Sequence, residues 1–408
     1  MRLRAAVVAL VAAGCGVAPS GQVDATDATI GESAQDLELT SFGSNPGGLK
    51  VYAHVPGGMP ASAPLVVALH GCTQSAADYM KVGWDPLADQ QKFYVLYPEV
   101  QTGQKCFGWY DPAHNGRGQG EAASIVQAVQ AMQARYGIDS SRVFVTGLSA
   151  GAAMTAVMLA TYPDVFSAGA AIAGIPYRCA TGITDAYSCM GGKDETGKVQ
   201  GDRVRAAFPG YSGARPRLSI WQGDADWTVR PQNATEMLEQ FADVAGVDLT
   251  VDATRTMGTA TQAEYRDGAG VTRVELWTLK GMGHGTPVAP SKGCGTAGAY
   301  ILDVGVCSTG EIAKFFGLGA AVVTPAPTPA PTPTPTPAPP PVAAPPSSCT
   351  EFNDNNYAQV QSGRAVRCGA YNSYACATAT GENLGLWNTF NKSWVHSVSG
   401  GWAAGRCQ

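Results

Sequence analysis

From Thr324 to Pro346 the chain is built mostly of Pro, Thr and Ala. No apolar core can form from such a stretch, and repeated proline favours the extended polyproline II form. A spacer of this kind advances roughly 3 Å per residue, or about 70–80 Å in all. The linker at residues 321–347 therefore divides a body at 37–320 from a small module at 348–408. The chain has 408 residues and is 45 % hydrophobic, enough for a sizeable core in the body.

The first residues read as an export signal. Arg2 and Arg4 precede an apolar run, Ala5 to Ala13, too short to span a bilayer. Ala12-Ala13-Gly14-Cys15 resembles a lipoprotein cleavage site, so residues 1–15 leave both plain secretion and a lipid anchor on Cys15 open. Residues 16–36 are polar and read as a disordered leader. No later segment is apolar enough to span a membrane. The net charge is −5 and no basic stripe exists, so no nucleic-acid partner is expected. A monomer is expected.

Export implies an oxidising compartment, which bears on the 11 cysteines. Setting Cys15 aside, six lie in the body and four in the last module, both even counts. Disulfides are the natural reading. Proximity in sequence pairs Cys179 with Cys189 and Cys294 with Cys307, leaving Cys72 with Cys106; other connectivities stay open. There is no C-x-x-C and no histidine cluster, so neither a structural metal nor a cofactor is expected.

Strands and helices alternate through the body. Leu65–Leu69 is a continuous apolar run, as a buried parallel strand should be. Phe93–Tyr97 repeats the pattern and is expected to stop at Pro98. Arg142–Thr146, Ala168–Ile172, Leu218–Trp221 and Val274–Thr278 are further strand candidates. Glu121–Tyr136 carries Ile125, Val126, Val129 and Met132 at helical spacing and ends at Gly137; Ala150–Tyr162 is a second helix, halted by Pro163. This alternation predicts an α/β fold with a mostly parallel central sheet.

Gly147-Leu148-Ser149-Ala150-Gly151 is a G-x-S-x-G motif between a strand and a helix of small residues. That is the context of a nucleophile elbow in the α/β-hydrolase fold, where larger neighbours would collide with the turn. An ordinary Gly/Ser turn is the bland alternative. In that fold the order is nucleophile, acid, histidine. Of five histidines, only His284 follows Ser149 within the body, in a glycine-rich loop. The loop after Leu218–Trp221 offers Asp226 as the acid, with Asp224 as fallback and more suited to bracing the loop. His70-Gly71-Cys72 follows the first apolar strand, which points to the backbone N–H groups of Cys72 and Ala150 as the oxyanion hole. His70 then braces its loop. Trp109 and Trp227 flank the motif loops, where they either line a substrate cleft or pack against the body.

LHGCTQSA (69–76), YPE (97–99), CFGWYD (106–111), GQGEAASI (118–125), RVFVTGLSAGAAM (142–154), WQGDADWTV (221–229) and GMGHGTPV (281–288) occur in one order across most of residues 50–290. In these the body resembles the poly(3-hydroxybutyrate) depolymerase family of esterases. The resemblance implies Ser149 as nucleophile, Asp226 as acid, His284 as base and Cys72 in the oxyanion loop. Two departures are visible: Ala152 and Gln222 stand where the family often carries glycine and histidine.

NYAQVQSGRA (356–365) and NLGLWNTF (383–390) resemble the C-terminal substrate-binding domain of extracellular polyhydroxyalkanoate depolymerases. The module also holds Phe352, Tyr357, Tyr371, Tyr374, Trp387, Phe390, Trp394 and Trp402 on a nearly uncharged background. Such aromatics, Trp387 and Trp394 among them, can lie flat on an insoluble polyester surface or stack on sugars. About half are expected in the core of a domain too small to fold without disulfides. The expectation is an extracellular polyester depolymerase. Its rivals are a feruloyl or acetylxylan esterase with the same triad, and a non-catalytic surface-binding protein.

Overall fold

The computed structural model describes residues 33–319, 350–368, 374–387 and 392–406. The expected signal and linker, Cys15, Cys349 and Cys407 lie outside the described residues. Two compact units meet in sequence between Val323 and Thr324.

The first unit runs β1 (Gln35–Glu38), β2 (Lys50–Val55), β3 (Leu65–Leu69), α1 (Ala76–Met80), α2 (Trp84–Gln91), β4 (Tyr94–Glu99), α3 (Gly120–Tyr136), β5 (Val143–Leu148) and α4 (Ala150–Thr161). It continues with β6 (Ala168–Ile172), α5 (Ile183–Met190), α6 (Gly197–Ala207), β7 (Arg217–Gly223), α7 (Gln232–Ala245), β8 (Ala253–Met257), β9 (Ala260–Arg266), β10 (Thr272–Leu279), β11 (Thr286–Val288), β12 (Ile301–Asp303) and α8 (Ser308–Phe316). Ten strands form one sheet in the order β1-β2-β4-β3-β5-β6-β7-β10-β9-β8. From β4 to β10 all neighbours are parallel, and the two strands at each edge are antiparallel. Each central strand is buried on both faces, so its sequence is continuously apolar.

Alternate residues of β3 feed two cores. Leu65, Val67 and Leu69 pack with Ile125 and Val129 of α3 and with α4. Val66 and Ala68 pack with Trp84 of α2 and Phe316 of α8 on the other side. Helices thus cover both faces, the three-layer arrangement of a parallel sheet.

Three expectations shift. β4 runs through Pro98 to Glu99; β3 pairs with it only as far as Leu96, so the missing proline N–H breaks no β3 ladder bond. The leader ends earlier than residue 36, because Gln35 and Asp36 pair with Val55 and His54. The β8–β9 hairpin adds two strands that apolar runs do not mark. The body disulfides are Cys72–Cys106, Cys179–Cys189 and Cys294–Cys307, as proximity predicts.

The second unit holds two three-stranded antiparallel sheets and a short helix, Asn356–Gln361. One sheet joins Glu351–Asn355, Lys392–Val398 and Gly401–Ala404; the other joins Ala365–Cys368, Tyr374–Ala377 and Asn383–Leu386. Cys368 is bonded to Cys376. The core differs from expectation: among the described residues it is made of Ala365, Ala375, Cys376, Ala377, Val395 and Ala403, with buried Asn356 and Gln359. None of the six described aromatics is fully buried. Arg367 lies 3.9 Å over the Trp387 ring, Arg406 4.3 Å over Trp394 and Arg364 4.2 Å over Phe352. These cations occupy aromatic faces that composition alone assigns to a core. Tyr371 and Phe390 lie outside the described residues.

Candidate active site

Ser149 sits between β5 and α4 at φ 56°, ψ −118°, a strained setting for a residue with a side chain. Its neighbours explain why the turn holds. A Cβ on Gly147 would strike the Gly151 backbone, and one on Gly151 would strike the Leu69 carbonyl. Ser149 N–H donates to the Ile172 carbonyl (2.9 Å), and Ala153 N–H donates to the Ser149 carbonyl (2.8 Å). The turn is thus fixed from both sides, with the hydroxyl presented at a helix N-terminus.

Asp226 follows β7 and is 1 % exposed. Its Oδ1 accepts the N–H groups of Thr228 (2.8 Å) and Val229 (3.0 Å), and its Oδ2 lies 2.7 Å from His284 Nδ1. Gln222 Nε2 donates to the same Oδ2 at 3.3 Å. The departure at Gln222 therefore leaves a donor on the acid. Asp224 does what suits a brace: its Oδ1 accepts Gly281 N–H at 2.6 Å and holds the histidine loop. Ala225 N–H and the Met282 carbonyl make a second tie at 3.1 Å.

His70 is fully buried, and burial holds its pKa below the ordinary value. Val100 N–H donates to Nε2 (3.2 Å), so Nδ1 carries the proton given to the Gly71 carbonyl (2.8 Å). It is a neutral loop brace. The next turn carries Cys72, bonded to Cys106, while Thr73 N–H donates to the Gln104 carbonyl (3.0 Å).

Two cavities meet at this point. One of about 140 Å³ is lined by Ser149, His284, Cys72, Thr228 and Tyr300. The other, about 350 Å³, is lined by Ser149, Ala150, Cys72, Trp109, Tyr110 and Tyr187. Ser149 and His284 therefore face the same space, and Cys72 and Ala150 lie beside it. Trp109, 5 % exposed, walls the larger cavity. Trp227 lines neither: it is 76 % exposed with Arg230 4.0 Å over its ring, and its neighbours Thr228 and Val229 face the cavities instead. Trp387 and Trp394 belong to the second unit. Sequence reasoning missed Tyr300, whose ring centre is 6.0 Å from that of His284, and Tyr187 on α5. No motif marks either, because the fold alone brings them to the cavities.

Among the described residues one group has the spacing of metal ligands, Asp36, His54 and Asp85. Its imidazole is already shared between Asp36 (2.7 Å) and Asp89 (3.0 Å), and it belongs to the β1–β2 edge. No described helix is long and apolar enough to cross a membrane.

Residues 50–266 match the family described as esterase PHB depolymerase. The chain is 54 % identical over 288 residues to poly(3-hydroxyalkanoate) depolymerase C of Paucimonas lemoignei, covering 69 % of this chain and 70 % of that one. It is 37 % identical over 272 residues to feruloyl esterase B of Neurospora crassa, covering 64 % and 92 %. Among solved structures, an acetyl xylan esterase from Aspergillus awamori superposes with a TM-score of 0.60 at 29 % identity, covering 69 % of this chain and 99 % of the other. With a parallel α/β sheet, a serine elbow and a carboxylate-bound histidine facing one cavity, the chain belongs to the esterase PHB depolymerase family.

Proposed function

We propose that this esterase hydrolyses the ester bonds of poly(3-hydroxybutyrate) or a related polyester through an acyl-enzyme. The carrying observation is Ser149 on its strained elbow, sharing a cavity with His284, whose Nδ1 is held 2.7 Å from buried Asp226. His284 Nε2 takes the Ser149 proton as Oγ attacks the ester carbonyl. The N–H groups of Cys72 and Ala150 receive the oxyanion. His284 then protonates the leaving alcohol, and a water activated by the same nitrogen releases the acid. Asp226 holds the tautomer that leaves Nε2 free to accept.

The polymer preference rests on the identity to the Paucimonas lemoignei depolymerase. In this reading the second unit adsorbs to the solid and the linker lets the body sample chains around that anchor. Disulfides in both units fit an exported enzyme. Turbidity loss of a poly(3-hydroxybutyrate) granule suspension tests the proposal. The full chain is expected to clear it, and Ser149→Ala to be slower by several orders of magnitude. A variant that keeps near-normal clearing sinks the assignment of the nucleophile.

The likeness to acetyl xylan and feruloyl esterases favours a second reading, hydrolysis of acyl groups on plant polysaccharide. Brisk turnover of a soluble short-chain ester without granule clearing, and retention of residues 349–408 on xylan instead of polyester, would select it.

A further inference from the structure

Two family-like stretches, CFGWYD and GQGEAASI, have no part in the chemistry above, yet they touch. Glu121, in the first turn of α3, is 3 % exposed and belongs to neither the triad nor the oxyanion loop. Its Oε2 accepts Gly108 N–H at 2.6 Å. Gly108 directly precedes Trp109 and Tyr110, which wall the 350 Å³ cavity beside Ser149. The same segment is tied to α3 by Ala122 N–H, which donates to the His114 carbonyl (3.1 Å), and is braced internally by Asn115 Nδ2, which donates to the Trp109 carbonyl (2.8 Å). A Cβ on Gly108 would come within 3.0 Å of the His114 ring, and one on Gly120 would strike the Ala113 carbonyl. The loop is thus pressed against the helix with little slack, and one buried carboxyl accepts the N–H at its turning point.

We propose that Glu121 is a positioning residue for substrate selection: its buried carboxyl fixes the Trp109–Tyr110 wall of the cavity that receives the acyl chain. The proposal rests on the reading of Ser149 as nucleophile, because that reading makes the cavity an acyl site.

The carboxyl also responds to pH. The titratable groups facing it are His114, whose Nδ1 is 3.8 Å from Oε1, and Asp111 and Tyr110 on the same loop. Burial, reinforced by Asp111 and opposed by the Gly108 N–H, pushes the Glu121 pKa up to about 7 from 4.5. A raised carboxyl pKa means that the neutral form suits the folded pose better than the ionised form does. The contribution to the pose is therefore full below about pH 4.5 and is lost as pH rises through about 7. The Gly108 N–H by itself favours the ionised form, but burial outweighs it, so ionised Glu121 draws its loop toward water, loosens the wall, and affinity for a longer acyl chain falls.

The test compares the full-length wild type with Glu121→Gln and Glu121→Ala on p-nitrophenyl acetate and p-nitrophenyl hexanoate at several pH values on either side of 7. For the wild type, KM for the hexanoate is expected to rise severalfold as pH passes about 7, while KM for the acetate changes little. Glu121→Gln keeps the oxygen acceptor for Gly108 without the ionisation, so its hexanoate KM should match the low-pH wild type and stay flat. Glu121→Ala should raise hexanoate KM about tenfold at every pH with a smaller change in kcat. If Glu121→Ala fails to fold, the Glu121→Gln profile decides alone. Superimposable profiles for wild type and Glu121→Gln, or a folded Glu121→Ala with unchanged selectivity between the two esters, overturn the proposal. Ser149→Ala is run beside them: if it still hydrolyses both esters, the reading of the site has failed, and not the role of Glu121.

Discussion

Both oxygens of Asp226 are committed, and to different partners. Oδ1 takes two backbone N–H groups, and Oδ2 faces His284. In Asp226→Asn the amide oxygen must therefore remain at the Oδ1 position, since an NH2 there would meet two donors. The NH2 then points at His284 Nδ1 and requires it to accept, which moves the imidazole proton to Nε2 and removes the base. The expected result is a kcat lower by about 10⁴-fold with the fold intact, read on a soluble ester. A variant within tenfold of wild type would mean that Asp226 does not set the tautomer. His54 carries a separate pH effect. Burial opposes its charge, yet the hydrogen bonds to Asp36 and Asp89 prevail and hold its pKa above 6.5. Its charged bridge is fully present below pH 6.5 and is lost as pH rises through the folded value. His54→Gln should thus unfold at lower temperature than wild type near pH 6, and the gap should shrink near pH 9. A gap that is constant across that range would show that the bridge carries no net charge. Asp36 is largely exposed, so the effect at low pH is expected to be small.

The elbow is where β3, β5 and α4 converge, and it tolerates no added atom. A Cβ at Gly151 would strike the carbonyl of Leu69 and lie 2.6 Å from that of His70, both backbone atoms that cannot swing aside. Gly151→Ala must therefore push α4 off the end of β3. That predicts a loss of about 1–3 kcal/mol in thermal unfolding, together with a fall in kcat as Ser149 moves. Unchanged stability and turnover would show that the elbow has room the contacts deny. The same convergence explains what the sequence revealed. β3, β5 and β6 are buried on both faces, so their apolar runs were visible in the chain. β1 and β8 are both mostly exposed, and their polar residues look like leader or loop. Ser149 and His284 were legible because the elbow needs glycines and only one histidine follows it within the body. Asp226 was separable from Asp224 only because Asp224 suited bracing the loop and the family resemblance in WQGDADWTV implied Asp226. Glu121 was not legible at all: a glutamate in the first turn of a helix is ordinary, and its burial depends on a loop folding back from Cys106 to Gly120.

The two units differ in what holds them together, and that difference bears on how each works. The first has a large core on both faces of a ten-stranded sheet and includes every residue proposed for the chemistry. Among its described residues the second keeps alanines, one valine and Cys376 inside and leaves Phe352, Tyr357 and Trp394 exposed. An apolar ring that adds nothing to a core is available to lie on a solid. Arginines lie over three of its rings, and a planar guanidinium sheds water easily enough to follow a ring onto a polyester. If adsorption is the task of this unit, a chain ending at residue 320 should keep the wild-type kcat/KM on a soluble ester, because its core and cavities are complete without the rest. Clearing of granules should be slower at low enzyme concentration. The deficit should shrink as enzyme is added, since a tether acts by raising local concentration and bulk concentration can replace it. A deficit that persists at saturating enzyme would assign the second unit a role in the chemical step instead. Equal clearing at every concentration would leave its exposed aromatics without a polyester to bind.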